Sequence, residues 1–263
     1  MIHGFFDSHA HYDAQQFDPD REALLSALPG RGIAWVVTIG ADLASSRDAI
    51  QLAQKYAYIY ATVGIHPHEA EEAPTHYLDT LRKMAMDHSS RVVAIGEIGL
   101  DYHYDHSPRE KQQQVFQEQL ELATELGLPV VIHNREAHQD TLQLLRRFEG
   151  TGVVHCFSGS AEMARELVEM GFYIGFTGVV TFKNAKRALE AAKAVPTDRL
   201  LIETDCPYLA PEPYRGRRCD SSMLTQTAGA LAAVKQLTPQ ELVDVTRENA
   251  CRLYGISDSN TAM

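Results

Sequence analysis

The sequence predicts an α/β fold of the (β/α)8, or TIM-barrel, type. Short β-branched runs recur eight times along its 263 residues, and between them lie longer segments with helical apolar spacing. No Ser/Gly linker or second compositional zone interrupts the pattern, which favours one closed barrel over a doubly wound sheet. A single domain over residues 1–263 is expected, with a polar, frayed tail from Ser257 to Met263 that receives no role.

In chain order, strand 1 runs from Gly4 to His9 and is followed by a helix over Asp20 to Leu28. Strand 2, Ile33 to Ile39, leads to a helix over Leu43 to Tyr56, and strand 3 spans Ile59 to Ile65. Strand 4, Val92 to Glu97, precedes the helix from Pro108 to Leu126. Ser107 reads as its N-cap, Pro108 as its first residue and Gly127 as the glycine that ends it. Strand 5 (Pro129 to His133) and strand 6 (Gly152 to His155) are followed by helices over Glu136 to Phe148 and Ala161 to Met170. Strand 7, Tyr173 to Thr177, leads to a helix over Ala185 to Ala194, and strand 8 is Leu200 to Glu203.

Composition bounds the function. At 44% hydrophobic and 22% charged, the chain has the balance of a soluble globular protein. Its formal net charge of -11 argues against a broad duplex-binding surface, though not against a nucleic-acid end entering a pocket. Cys156, Cys206, Cys219 and Cys251 form no C-x-x-C pair, so a reducing cytoplasm fits better than a disulfide framework. A start without a basic and then apolar leader, and no apolar run of about eighteen residues, predict neither secretion nor a membrane span. The sequence sets no oligomeric state and is compatible with a monomer.

In such barrels chemistry gathers where strands end and βα loops begin, and the suspicious polar residues fall there. His9 and His11 close strand 1, and strand alternation projects both the same way while Ser8 and Ala10 project the other. Glu97 ends strand 4, His133 strand 5 and His155 strand 6, and Asp205 follows strand 8. Six potential ligands from five strands thus converge on one axis. Burying so many carboxylates and imidazoles is costly unless they are paired or bind metal.

Four histidines and two carboxylates exceed the needs of one tetrahedral ion, so a binuclear site is expected, with Glu97 able to bridge ions about 3.5 to 4 Å apart. Mixed imidazole and carboxylate ligands suit Zn, Mn, Fe or Ni, with Mg also open.

Six motifs then carry a resemblance. They are Phe6-Asp7-Ser8-His9-Ala10-His11, Gly64-Ile65-His66-Pro67-His68, Ile95-Gly96-Glu97-Ile98-Gly99-Leu100-Asp101-Tyr102, Ile132-His133-Asn134-Arg135, His155-Cys156-Phe157-Ser158-Gly159 and Glu203-Thr204-Asp205-Cys206-Pro207-Tyr208-Leu209. Over essentially its whole length the chain resembles the TatD family of metal-dependent deoxyribonucleases and related hydrolases, which fold as TIM barrels. That resemblance implies His9 and His11 with Glu97 and Asp205 at one metal, and Glu97, His133 and His155 at the other. One stretch departs from the family pattern: Arg215-Gly216-Arg217-Arg218 keeps its basic half, but Cys219-Asp220-Ser221 stands where Asn-Glu-Pro is usual.

The expected reaction is phosphodiester hydrolysis by a metal-activated water, with Glu97 and Asp205 as the catalytic carboxylates and Asp205 orienting the water and accepting its proton. The expected substrate is a nucleic-acid end or a small phosphodiester or ester. His66, His68, Arg135, Lys183 and Arg215, with the rest of the Arg215 to Arg218 group, are the candidate phosphate contacts. Tyr102, Tyr104 and Tyr208 are candidates for stacking on a base, His103 and His106 lie in the same polar loop, and Cys156 and Cys206 read as packing residues. An amidohydrolase-like or aminoacyl-tRNA deacylase activity at the same site is the alternative, although Glu97 stands where many amidohydrolases carry a modified lysine. A barrel holding metal only structurally is disfavoured because such sites close with four ligands.

Overall fold

Strand-forming runs too apolar to face water must be covered on both sides, and a ring of parallel strands inside a ring of helices does this. The computed structural model describes residues 2–257. Strands β1 (Phe5–Ala10), β2 (Ile33–Thr38), β3 (Ile59–Val63), β4 (Val92–Asp101), β5 (Val130–Arg135), β6 (Gly152–Val154), β7 (Tyr173–Phe176) and β8 (Leu200–Ile202) form one sheet in that order. Each pairs in parallel with the next. A parallel bridge between Ala10 and Cys206 returns the exit of β8 to β1. There Asp205 N donates to His9 O at 2.9 Å and His11 N to Cys206 O at 2.7 Å, closing the C-terminal rim.

Helices α1 (Arg21–Ala27), α2 (Leu43–Lys55), α4 (Arg109–Leu126), α5 (His138–Leu145), α6 (Ala161–Glu169) and α7 (Lys186–Ala194) occupy the six segments with helical spacing. Three more, α3 (Tyr77–Met86), α8 (Leu224–Lys235) and α9 (Pro239–Tyr254), complete the set among the described residues. Local chemistry sets the ends. Asp42 and Ser45 form a capping box at α2, Thr238 and Glu241 another at α9, and Gly127 ends α4 at φ 65°. The start of α4 corrects one expectation: Pro108 is the capping residue, and Ser107 instead accepts from Glu71 N at 3.0 Å and donates to His68 O at 2.9 Å. Its hydroxyl ties the loop before α4 to the loop after β3. Beyond Ser257 the tail expected to fray lies outside the described residues.

Two apolar layers result. Phe5, Ile33, Val36, Ile59, Ile95, Ile98, Val130, Ile132, Ile174 and Ile202 join the helices in the outer one. Phe6, Val37, Val93, Val131, Val153, Tyr173 and Leu201 fill the inner face with Ala250, Cys251, Leu253 and Tyr254 from α9. The period of two along each strand therefore decides which polar residues face inward at the rim.

One backbone approach is essential to this arrangement. Gly99 in β4 has φ 141°, and a Cβ there would run into the carbonyl oxygen of His133 on β5. Gly99→Ala is expected to cost about 3 kcal/mol or more, a fall in thermal midpoint of about 6–12 °C. A melt matching the native one would contradict this close packing of β4 on β5.

Candidate metal centre

Two bulges and three regular strand ends build the site. β1 advances three residues, from Asp7 to Ala10, while β2 advances two, from Val36 to Thr38. The extra residue keeps Ala10 in the outer layer with Val36 and turns His9 inward, with His11 after it. Ser8 is also drawn inward, donating to Glu203 Oε2 at 3.1 Å, so it does not share the outward side of Ala10 as simple alternation predicted. β4 likewise steps from Ile95 to Ile98 while β5 steps from Val130 to Ile132. Both isoleucines stay in the outer layer, and Glu97 between them faces the centre. β4 continues to Asp101, so Glu97 lies within the strand rather than at its end. His133, His155 and Glu203 follow from regular alternation, each two residues beyond an inner-layer residue: Val131, Val153 and Leu201.

The six expected ligands come together. His9 Nε2 and His11 Nε2 lie 3.1 Å apart, both facing Asp205 Oδ1 at 3.6 and 3.4 Å. Glu97 divides its oxygens. Oε2 lies 3.4 Å from His9 Nε2 and 3.7 Å from His11 Nε2, whereas Oε1 lies 2.7 Å from His155 Nε2 and 2.8 Å from His133 Nδ1. Asp205 itself sits in a left-handed backbone conformation, φ 58°, uncommon for a residue with a side chain.

These donors fit divalent cations. His9, His11 and Asp205 form one group with ligand atoms within 4.8 Å of one another; Glu97 and His133 form a second with His66, whose site-facing Nε2 carries its proton and so stands as a donor beside that group rather than a ligand in it. A third, His9 with His155 and Glu203, lies beneath them, but Glu203 is already engaged by Cys156 N at 2.6 Å and Ser8 Oγ.

Electrostatics carry the same message. Glu97 is buried and Asp205 largely so, which alone would raise their pKa values; the surrounding imidazoles outweigh this, lowering Asp205 and taking Glu97 well below the usual carboxylate range. Burial likewise opposes charge on His11, yet Asp205 and Glu97 push it up to about 9. Burial opposes charge on His155 and His133 too, but Glu97 and Glu203 raise His155 well above its ordinary value, and Asp101 and Glu97 raise His133. Burial prevails at His9 and lowers it. Protons on three imidazoles thus supply positive charge among the carboxylates, a place that bound cations can take.

Carboxylates behind the histidines fix their orientation, and sequence reasoning missed them. Asp101 Oδ2 lies 3.0 Å from His133 Nε2 and 3.0 Å from His68 Nε2. Asp101 also accepts from the backbone of His103 and Tyr104, and Gln112 holds its backbone. Glu203 Oε1 stands 3.6 Å from His155 Nδ1, and a Cβ on Gly175 would come 2.5 Å from Glu203 Oε2. Such carboxylate–histidine pairs set which ring nitrogen faces a metal. Asp7, pushed up to about 7 by burial, accepts from Thr204 N, Thr204 Oγ1, Ser221 Oγ and His9 N. Ser221, in the stretch that departs from the family pattern, is thereby tied to β1. Asp101 and Glu203 share the inward period with Glu97 and Leu201, the signal that could have found them.

The expected phosphate contacts divide. His66 is buried, with Nε2 3.6 Å from Glu97 Oε1; its Nδ1 accepts from His68 N at 3.1 Å, so the neutral ring carries its proton on Nε2, facing the site. Burial holds His66 well below its ordinary pKa. His68 faces Asp101 instead. Arg135, Lys183 and Arg215 are exposed and form no ion pair among the described residues; Arg135 lies over Tyr104 at 4.6 Å and Arg215 over Phe182 at 4.5 Å. Arg218 is not available as expected, because it pairs with both Asp20 oxygens at 2.6 and 2.7 Å. Tyr102 donates to Asp140 at 2.7 Å, which makes it a packing residue, and His103 pairs with Glu136. Cys206 is buried in the outer apolar layer, Cys156 Sγ lies 3.6 Å from Thr177 Oγ1, and burial pushes the Cys156 thiol up to about 12.

A parallel barrel with buried imidazoles and carboxylates at its C-terminal mouth defines a metal-dependent hydrolase. The family model described as TatD related DNase matches residues 6–255, and the chain belongs to that family. It is 43% identical over 256 residues to YabD of Bacillus subtilis (strain 168), described as an uncharacterized metal-dependent hydrolase, covering 96% of this chain and 99% of that protein. It is 35% identical over 263 residues to a Citrobacter koseri protein named 3'-5' ssDNA/RNA exonuclease TatD, covering 96% and 99%. The crystal structure of YjjV, a TatD homologue from Escherichia coli K12, superposes with a TM-score of 0.91 at 30% identity, covering 98% of this chain and all of that one.

Metal uptake should displace protons. Below its folded pKa of about 9, His11 must lose a proton before its lone pair can bind a cation, and His155 and His133 are raised in the same sense. Calorimetric titration with Zn or Mn in buffers of different ionisation enthalpy should therefore show proton release at pH 7, and affinity rising with pH up to about 9. Binding without proton release would remove these imidazoles from the ligand set.

Proposed function

We propose that this hydrolase cleaves phosphodiester bonds at nucleic-acid ends, single-stranded DNA foremost, at a binuclear centre. The observation that carries the reading is the divided Glu97 carboxylate, one oxygen toward His9 and His11, the other toward His133 and His155. One carboxylate bridging two ions would use this arrangement, with Asp205 completing the first set. The exonuclease name of the Citrobacter relative supports the substrate class.

Divalent ions, when bound, supply an acidified water and positive charge for the phosphoryl oxygens. The chain's own residues do the rest. Asp205, kept ionised by His11 and His9 and with its side chain 16% exposed, accepts the water's proton. His66 presents a neutral Nε2–H to a phosphoryl oxygen. Arg135, Lys183 and Arg215 meet the flanking phosphates without first breaking an ion pair. Tyr208, 51% exposed beside His11, offers a face for a neighbouring base, whereas the ring of Tyr104, equally exposed, already carries Arg135 and stacks with His106. Four free cysteines agree with the reducing cytoplasm in which we place the protein. No helix among the described residues is long and apolar enough to cross a membrane.

Chelated protein should be inert and regain activity on reloading with Mg, Mn or Zn, releasing nucleotides from end-labelled single-stranded DNA. Metal-loaded Asp205→Asn should lose about 10²–10⁴-fold in turnover. Near-native turnover by that variant would exclude Asp205 as proton acceptor. Acid released only from aminoacyl-tRNA or amide substrates tested in parallel would replace the phosphodiesterase reading.

A further inference from the structure

Beside the metal centre the barrel mouth holds a second concavity, of about 240 Å³, between the loop leaving β6 and the loop joining β7 to α7. Its inner end is Cys156, the residue after His155. Its walls are mostly apolar and include three phenylalanines. Phe157 and Phe176 are buried, with ring centroids 6.3 Å apart edge to face, Val180 is buried between the loops, and Phe182 is half-buried at the opening. Its rim is polar: Asn184 and Arg187 are exposed, and Arg187 makes no hydrogen bond or ion pair among the described residues. Arg215 extends its guanidinium over Phe182, and Lys183 is the next residue.

We propose that this pocket binds the base of the nucleotide whose phosphodiester lies at the metal centre, with Arg187 and Arg215 holding an adjacent phosphate. The proposal rests on the phosphodiesterase reading and deepens it by naming a subsite. Three features select this occupant. Aromatic walls suit a flat ring, since stacking on such side chains tolerates any base. The volume is below the ~300–1,000 Å³ typical of sites for drug-sized ligands, room for a single ring system. Cations around an apolar mouth, in a chain of net charge -11, match a ligand that joins an apolar plane to an anion. An acyl chain or apolar peptide segment would use the walls and leave the cations idle. Cys156, which lines the pocket and whose backbone N meets Glu203 Oε1 at 2.6 Å directly after His155, joins the pocket to the metal centre.

Thymidine 5′-phosphate and the methyl glycoside of 2-deoxyribose 5-phosphate share the closed sugar ring and the phosphate and differ in the base, which a methoxy group replaces, so calorimetric binding of both to the metal-loaded protein reads the pocket without turnover. The native protein should prefer the nucleotide by roughly tenfold or more, the worth of one stacked base. Phe182→Ala, which removes a wall, and Ala188→Leu, which fills the floor from α7, should each bring the two affinities within about twofold. Equal affinities in the native protein, or an undiminished preference in either folded variant, would overturn the proposal. Single-stranded DNA cleavage by the same samples reports separately: a base preference without cleavage removes the phosphodiesterase reading and keeps the pocket, and cleavage without a preference does the reverse.

Discussion

The Glu97 carboxylate is the constraint around which the mouth of this barrel is arranged. Buried, it would be neutral or absent without the nitrogen atoms that ring it, and its two oxygens face different pairs of histidines. Reaching that position requires the bulge in β4, and the bulge requires a partner strand close enough that Gly99 can carry no side chain. The site's chemistry is therefore written into the backbone register of the sheet.

Behind the rim, a second tier of acids turns imidazoles into directed donors. Asp101 holds His133 and Glu203 stands behind His155, while Asp7 clamps β1 to the exit of β8 through Thr204 and to the next loop through Ser221. These acids face away from solvent, so their function is to restrict ring nitrogens and backbone rather than to meet substrate. The proposed substrate contacts other than His66 lie farther out, on loops whose cations and rings remain exposed. This division, a buried centre under a rim of exposed side chains, follows from barrel geometry, where strand ends fix positions and loops vary.

The strands and the convergent ligands were legible because their signals are local. A β-branched run ending in His or Glu states both the strand and its tip: five of the eight expected strands end so, four of the six ligands (His9, Glu97, His133 and His155) sit at those tips, and His11 and Asp205 follow two residues beyond such an end. What escaped was non-local. Helix α8 is Ala- and Leu-rich around most of its circumference and gives no amphipathic stripe, whereas α9 carried its Thr238-Pro239 start and Glu241 in plain view. The bulges that turn Glu97 and Ser8 inward depend on the neighbouring strand, so alternation alone misplaced Ser8. Arg218 looked like its basic neighbours until Asp20, far away in sequence, claimed it. Ser107 had the residue type of a cap but found a better partner in another loop.

The claim beneath the proposed function is that one carboxylate serves two ions. Elemental analysis of dialysed native protein and of Glu97→Ala tests it most directly. The account predicts two divalent ions per chain in the native protein and at most one in the variant. Two ions retained by the variant, or an active native protein holding none, would contradict it.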